Sequence, residues 1–241
     1  MPVAGGQDTP GRTAGAAFQP HPVEWTDEKV SRFWDYLAGR VTEEFFSEKH
    51  ASDIASRVPG RRVLDIGCGT GPLVGELLRR GRDAVGVDSS PEVIAEARRR
   101  YGDRFSVGSV TSLPYPDESF DSATLIEVVE HLDDAALDSA IREARRVLRP
   151  AGNLLITTPN SEKLAPASRQ CPDCGAEFHI YQHVRTWSIE SLASYLKDRG
   201  FGLVTVTAIA LPERGRFGWL VPLGLRLLGR PMPRLLAVAQ R

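Results

Sequence analysis

The amino-acid sequence predicts an α/β fold built on a mainly parallel sheet with helices on both faces. Apolar runs of strand length alternate with amphipathic helical segments from Arg62 to Ala239. This alternation is typical of parallel sheets, because each helix returns the chain to the starting edge of the sheet. A glycine-rich turn follows the first apolar run. Since ligands of such sheets bind beyond the carboxyl ends of the strands, we expect a ligand site at that edge.

The predicted elements follow from residue periodicity and from capping residues. Predicted strands are short apolar runs, and they cover residues 62–66, 84–87, 105–107, 122–126, 153–158, 203–210 and 235–239. Predicted helices carry apolar residues at three- and four-residue spacing, and they start near Thr26, Thr42, the glycine turn, Pro91, Asp134 and Ser188. Seven strands and their covering helices are enough for one domain.

The chain divides into a tail and a single domain. Residues 1–22 are rich in Gly, Pro, Ala and Thr and are expected to be flexible, whereas 23–241 form the domain. Within it, the helices of residues 23–60 are expected to cover the ligand as a lid, with the aromatic residues Phe33, Trp34 and Tyr36. Two segments break the alternation and are predicted insertions: 161–187, with Cys and His residues, and 212–234, which is apolar.

Composition excludes several classes of protein. The chain has 30 basic and 31 acidic residues, a net charge of -1, which argues against nucleic acid as a partner held by its phosphates. Three cysteines do not form a disulfide framework, so a reducing cytoplasm is the expected location. No apolar run approaches the roughly eighteen residues of a membrane span, and no signal peptide is evident.

The glycine turn carries the strongest functional signal. The turn Gly67-Cys68-Gly69-Thr70-Gly71 directly follows a predicted strand that contains Asp65. Asp88 ends the next predicted strand. Glycines allow a sharp turn and a close approach of a ligand to the backbone. A carboxylate at the second position can accept both hydroxyls of a ribose. Nicotinamide enzymes use a similar turn, so a dehydrogenase is an alternative on this motif alone.

Further motifs extend the pattern. The run Leu113–Asp121 and the sequence Leu148-Arg149-Pro150-Ala151-Gly152 before a strand accompany the D-x-G-x-G-x-G turn and Asp88. Together they are similar to class I S-adenosylmethionine-dependent methyltransferases, closely over residues 62–160 and in outline elsewhere. The resemblance implies a Rossmann-like, seven-stranded, mostly parallel sheet. It also implies S-adenosylmethionine (SAM) as the cofactor and an antiparallel hairpin of the last two strands.

The resemblance also implies roles for individual residues around SAM. Gly67, Gly69 and Gly71 would cradle the methionine part, and Asp65 would orient its amino group. Asp88 would hold the ribose hydroxyls. The remaining residues expected to contact the cofactor are Cys68, Ser89 beside the adenine, and Glu127.

The chain departs from the family pattern after the third strand. The family often has an Asp there that accepts a hydrogen bond from the adenine amino group, whereas this chain has Gly108-Ser109-Val110. The Ser109 hydroxyl or the Val110 backbone would take its place.

A cluster of acids and histidines follows the fourth strand. Glu127, Glu130 and His131 have i, i+3, i+4 spacing and would share one face of a helical turn. This Glu-x-x-Glu-His resembles small-RNA 3′-terminal 2′-O-methyltransferases, in which a later His, here His183, completes a metal site. It also resembles ubiquinone-pathway O-methyltransferases. Magnesium or another divalent metal would activate the acceptor hydroxyl. Alternatively, His131 acts as a general base or only packs, so Glu130 and His131 are the candidate catalytic residues.

The first insertion contains a second candidate metal site. Cys171 and Cys174 form a Cys-x-x-Cys pair followed by His179 and His183, a set that could hold a structural zinc. A loop of free thiols is the alternative. Because both metal sites use His183, they compete for it, and the sequence leaves the choice open.

The second insertion and the acceptor leave further alternatives. The apolar run Phe217–Arg230 is interpreted as peripheral membrane contact, a cover for an apolar substrate, or a helix packed on the core or in a homodimer. The expected reaction is O-methylation of a hydroxyl on a small-molecule acceptor. The alternatives are methylation of an RNA 3′ end and a non-catalytic, zinc-clipped binding module.

Overall fold

The computed structural model describes residues 20–38, 48–211 and 232–241. Its helices are α1 (Asp27–Ala38), α2 (Glu48–Ala55), α3 (Pro72–Arg79), α4 (Pro91–Tyr101), α5 (Asp134–Val147) and α6 (Ile189–Asp198). Its strands are β1 (His21–Pro22), β2 (Arg62–Ile66), β3 (Asp83–Asp88), β4 (Phe105–Val107), β5 (Phe120–Ile126), β6 (Leu148–Pro159), β7 (Ser168–Gln170), β8 (Ala176–His179), β9 (Gly202–Ile209) and β10 (Arg234–Gln240).

Seven strands form the main sheet, in the order β4-β3-β2-β5-β6-β10-β9. The pairs among β2 to β6 are parallel, whereas β10 is antiparallel to both β6 and β9. The predicted Rossmann-like sheet is therefore confirmed. The central strands β2 and β5 are neighbours, so their carboxyl ends lie side by side where the chain order changes direction.

Apolar side chains of the central strands are buried on both faces of the sheet. In β2, Leu64 and Ile66 belong to a core that includes Leu137 and Ile141 of α5. Val63 belongs to the opposite core, with Leu73 of α3. Successive strand residues point to opposite faces, so one short run supplies both cores.

A second, three-stranded sheet combines two strands of the predicted first insertion with β1 from the N-terminal segment. Strands β7 and β8 form an antiparallel hairpin, and β1 pairs in parallel with β8. His21 and Pro22, the end of the segment expected to be a flexible tail, pair with β8; residues 1–19 lie outside the described residues. This sheet ties the N-terminal segment to the insertion.

Two predicted segments lie partly outside the residues that the structure describes. The helix predicted from Thr42 appears as α2 from Glu48, and residues 39–47 are not among those described. Most of the apolar insertion, residues 212–231, also lies outside. Among the described residues, none of the helices is long and apolar enough to cross a membrane.

Candidate active site

The glycine turn is tied to the end of β3. The backbone amides of Gly67 and Cys68 both donate to the Val87 carbonyl, at 2.8 and 3.0 Å. Gly67 has φ 71° and Gly69 has φ 53°, left-handed values that favour glycine. A Cβ on Gly67 would lie 2.7 Å from Val128 Cγ2, so the turn packs directly on the segment after β5. A Cβ on Gly69 would meet nothing within 4 Å, so its backbone is open to a ligand.

Two acids predicted to bind the cofactor flank this turn. Asp88 accepts hydrogen bonds from the backbone amides of Gly69 and Ser90, both at 3.0 Å. Asp65 accepts a 2.6 Å hydrogen bond from the Thr124 hydroxyl. Burial raises the pKa of the Asp88 carboxyl and raises the pKa of Asp65 to about 7. Asp65 is therefore largely protonated below neutral pH unless a cation faces it.

Other predicted cofactor residues surround the same edge. The Cys68 side chain lies in the core, since a Cβ on Gly86 would be 2.7 Å from its Sγ, and burial raises its thiol pKa. The Cys68 Sγ also contacts the turn, since it donates to the Gly69 carbonyl at 3.6 Å. The loop that holds Ser109 and Val110 lies beside Asp88, because the Gly108 amide donates to the Asp88 carbonyl at 2.9 Å. Ser89 and Ser109 are exposed there.

The structure brings three predicted metal ligands together. Glu130, His131 and His183 can each supply one ligand atom, and these atoms lie within 4.8 Å of one another. Glu130 is buried and accepts a 3.0 Å hydrogen bond from Thr158, but its second oxygen has no partner among the described residues. His131 Nδ1 is also buried and has no hydrogen-bond partner among the described residues. Such unsatisfied polar atoms are costly, and a bound cation would satisfy both.

The charge state of the cluster follows from its burial. Burial, and then His183 nearby, lower the pKa of His131 to about 3, so its imidazole is neutral at working pH. Burial, and then the Glu127 charge, raise the pKa of Glu130 well above its usual value. A cation between these groups would favour the ionised carboxylate.

The expected helical turn is not present. Residues 127–132 form an irregular turn after β5, and Glu127 has φ 55°. The Glu127 amide donates to the Thr157 carbonyl at 2.9 Å, which holds the chain against β6 instead of letting it coil. The Glu127 carboxylate pairs with Arg234 Nε at 3.0 Å. Glu127 therefore lies outside the group formed by Glu130, His131 and His183.

The structure does not bring the four predicted zinc ligands together. Cys171 and Cys174 lie at the tip of the β7–β8 hairpin, where the Gly175 amide donates to the Cys171 carbonyl at 2.9 Å. His179 is at the other end of β8, and His183 follows it. His183 instead lies with Glu130 and His131 in the buried cluster. There, the Val184 amide donates to the Glu130 carbonyl at 2.9 Å.

Glu162 is a neighbour of the cluster that sequence reasoning missed. Its carboxylate lies 2.5 Å from His183 Nδ1 and 3.7 Å from His179 Nε2. The two imidazole rings stack, with centroids 4.6 Å apart. No motif marks this acid, because it precedes the histidines at the start of the insertion and meets them only after the hairpin folds back.

Helix α1 bridges the two halves of the site. Trp34 Nε1 donates to the Gln182 side chain at 2.8 Å, and the indole packs edge-on to His131, with centroids 4.9 Å apart. The next residue, Asp35, accepts a 3.0 Å hydrogen bond from the Ser90 hydroxyl beside Asp88. One helix therefore touches both the histidine cluster and the glycine-turn edge.

Comparisons with known proteins agree with this geometry. A family model described as a methyltransferase domain matches residues 28–206. An O-methyltransferase of Aspergillus sclerotiorum is 30% identical over 219 residues, which cover 86% of this chain and 81% of that protein. A demethylmenaquinone methyltransferase of Beutenbergia cavernae is 32% identical over 155 residues, 61% of this chain and 62% of that protein.

Solved structures show the same fold. A methyltransferase from a complex with the Haloferax volcanii Trm112 activator superposes with a TM-score of 0.65 at 22% identity, covering 88% of this chain and 96% of that one. The Burkholderia thailandensis 1,6-didemethyltoxoflavin-N1-methyltransferase superposes with a TM-score of 0.62 at 21% identity, covering 92% of this chain and 99% of that one. The dehydrogenase and the non-catalytic module are thus set aside. The chain belongs to the methyltransferase family and is a class I, SAM-dependent methyltransferase.

Proposed function

We propose that the enzyme methylates a hydroxyl oxygen of a small molecule, and that a divalent cation held by Glu130, His131 and His183 assists the transfer. The observation that carries the proposal is the pair of buried, unpartnered atoms, Glu130 Oε1 and His131 Nδ1, in a group whose ligand atoms lie within 4.8 Å. The name of the Aspergillus sclerotiorum relative, an O-methyltransferase, supports oxygen as the acceptor atom.

The residues of the glycine-turn edge fit SAM. The open backbone at Gly69 allows close approach of the cofactor, and Asp88 offers a carboxylate for ribose hydroxyls. Asp65 would face the ammonium group, while Ser89 and the Ser109–Val110 loop would border the adenine. Bound there, SAM supplies the electrophilic methyl group of its sulfonium.

The donor set of the cluster indicates the class of cation. Two imidazoles and one carboxylate suit manganese, iron, cobalt or zinc, whereas magnesium prefers oxygen ligands. A cation there would lower the pKa of a bound hydroxyl. His131 alone is a poor general base near neutral pH, since its pKa is about 3. The low pKa of His131 and the unpartnered atoms of the cluster both support a cation site over proton abstraction by His131.

The position of the cluster suits methyl transfer. Val128 packs on Gly67, so the segment that carries Glu130 and His131 adjoins the methionine end of the cofactor site. Trp34 covers His131 from the lid side and would limit water access. The protein's contribution is then to hold the acceptor oxygen in line with the methyl group and to shield it.

Methyl-labelled SAM with matched acceptors tests the proposal. We expect label on phenols, catechols or hydroxy acids, no label on the corresponding amines, and none on RNA oligonucleotides with a free 3′ end. Thorough chelation should abolish turnover while leaving the dissociation constant for SAM unchanged, and Glu130→Ala should reproduce this. Label on amines or on RNA instead, or full turnover after chelation, would contradict the proposal.

A further inference from the structure

We propose that Glu162 is a positioning residue that fixes the tautomer of His183, so that its Nε2 lone pair is offered to the site formed with Glu130 and His131. The inference rests on the proposed function, because it gives this lone pair a cation to bind.

The contact with Glu162 determines which ring nitrogen of His183 carries hydrogen. A carboxylate only accepts hydrogen bonds, so the 2.5 Å contact between its oxygen and His183 Nδ1 requires a proton on Nδ1. A neutral imidazole with that proton keeps its lone pair on Nε2. The side chain of His183 is only 10% exposed, which limits competition from water.

His179 holds the arrangement from the other side. Its Nδ1 accepts the backbone amides of Tyr181 and His183, both at 3.3 Å, so its own hydrogen lies on Nε2. That nitrogen lies 3.7 Å from a Glu162 carboxylate oxygen, beyond hydrogen-bond distance. The stacked His179 ring also restricts rotation of His183.

This assignment decides between two groups that both have ligand spacing. Glu162, His179 and His183 also place ligand atoms within 4.8 Å of one another. A cation there would need a lone pair on His179 Nε2, which the two backbone amides on Nδ1 disfavour. Glu162 therefore accepts a hydrogen bond from His183 instead of binding the cation, and such carboxylates orient metal-binding imidazoles and raise their basicity.

Two measurements on the full chain test the proposal. Nitrogen-15 NMR of the cation-free protein should show the Nδ1–H tautomer of His183 in the wild type and a mixture in Glu162→Ala. Titration with Co²⁺, followed by its visible spectrum, should show affinity reduced about 10- to 100-fold in Glu162→Ala. Glu162→Gln, which keeps a neutral acceptor, should lie between them.

Glu177→Ala is the matched control, because Glu177 is an exposed acid of the same insertion. It should retain wild-type Co²⁺ affinity, and all variants should retain the wild-type dissociation constant for SAM and melting temperature. An Nε2–H tautomer in the wild type, or unchanged Co²⁺ affinity in Glu162→Ala, would overturn the proposal. If the wild type binds no Co²⁺ but Glu162→Ala still mixes the tautomers, the cation site fails and the positioning role stands.

Discussion

Binding of SAM is expected to tighten between about pH 5.5 and about pH 7, because Asp65 must lose a proton before it can hold the cofactor's ammonium group. Burial raises the pKa of Asp65 to about 7, so the free protein carries this carboxyl mostly protonated over that range. The cofactor's own amino group stays protonated below its ordinary pKa of about 7.7. The expected pH dependence of SAM binding therefore comes from the Asp65 carboxyl and not from the cofactor.

The expected size follows from that pKa. The fraction of ionised Asp65 rises from about 3% at pH 5.5 to about half at pH 7, so the apparent affinity should rise about fifteenfold. The folding stability of the cofactor-free protein should change with pH in the opposite direction to its affinity for SAM. Because the folded cofactor-free protein binds this proton more tightly than the unfolded chain, its stability should fall as pH rises from about 4 to about 7.

Isothermal titration calorimetry is the assay. Near pH 6, binding should release about 0.9 proton per SAM, seen as a dependence of the measured heat on buffer ionisation enthalpy. Asp65→Asn keeps an acceptor for the Thr124 hydroxyl but cannot titrate, so it should bind more weakly and lose the pH dependence. Equal affinity at both pH values, or the same slope in Asp65→Asn, would refute the reasoning.

Three further changes test other parts of the site. Asp88→Ala should weaken SAM binding at least tenfold by calorimetry, because two charge-assisted hydrogen bonds to the ribose are lost; an unchanged dissociation constant would remove the ribose assignment. In urea unfolding, Gly67→Ala and Gly69→Ala should each lower the free energy of unfolding by about 1–2 kcal/mol, because alanine disfavours the left-handed backbone at these positions. Gly67→Ala should lose about 1–3 kcal/mol more by overpacking on Val128, and equal losses would contradict this geometry. Cys171→Ser should leave the metal content of the purified protein unchanged, since the hairpin tip holds only two thiols; loss of one zinc per chain would restore the zinc clip.

The main sheet could be predicted from the sequence because its strands are apolar runs flanked by polar residues. The third predicted strand, 105–107, matches β4 in full. The start of β6 was missed: the prediction begins at 153, whereas the strand begins at Leu148. Arg149-Pro150-Ala151-Gly152 has the composition of a turn, but an irregularity in the pairing of β5 with β6 accommodates it within the strand.

Residue types of the site were predictable, but their convergence was not. Spacing suggested that Cys171 and Cys174 join the two later histidines. In the structure, β8 runs away from the hairpin tip, and its four residues span about 10 Å between the thiols and His179. Helical spacing likewise suggested that Glu127 joins Glu130, yet its left-handed backbone turns it to Arg234. In both places, residues that are near in the chain are not brought together in the described structure.

The two halves of the site come from different parts of the chain. The cofactor half uses backbone turns at the ends of β2 and β3, which the parallel sheet fixes. In the function we propose, the acceptor half adds Trp34 from α1 to Glu162 and His183 from the insertion. The pairing of β1 with β8 joins these two additions. Because function lies in sites added to a fold, acceptor choice can change in these additions without altering the glycine turn. Substitutions at Trp34 or His183 should therefore act on the acceptor and leave SAM binding intact.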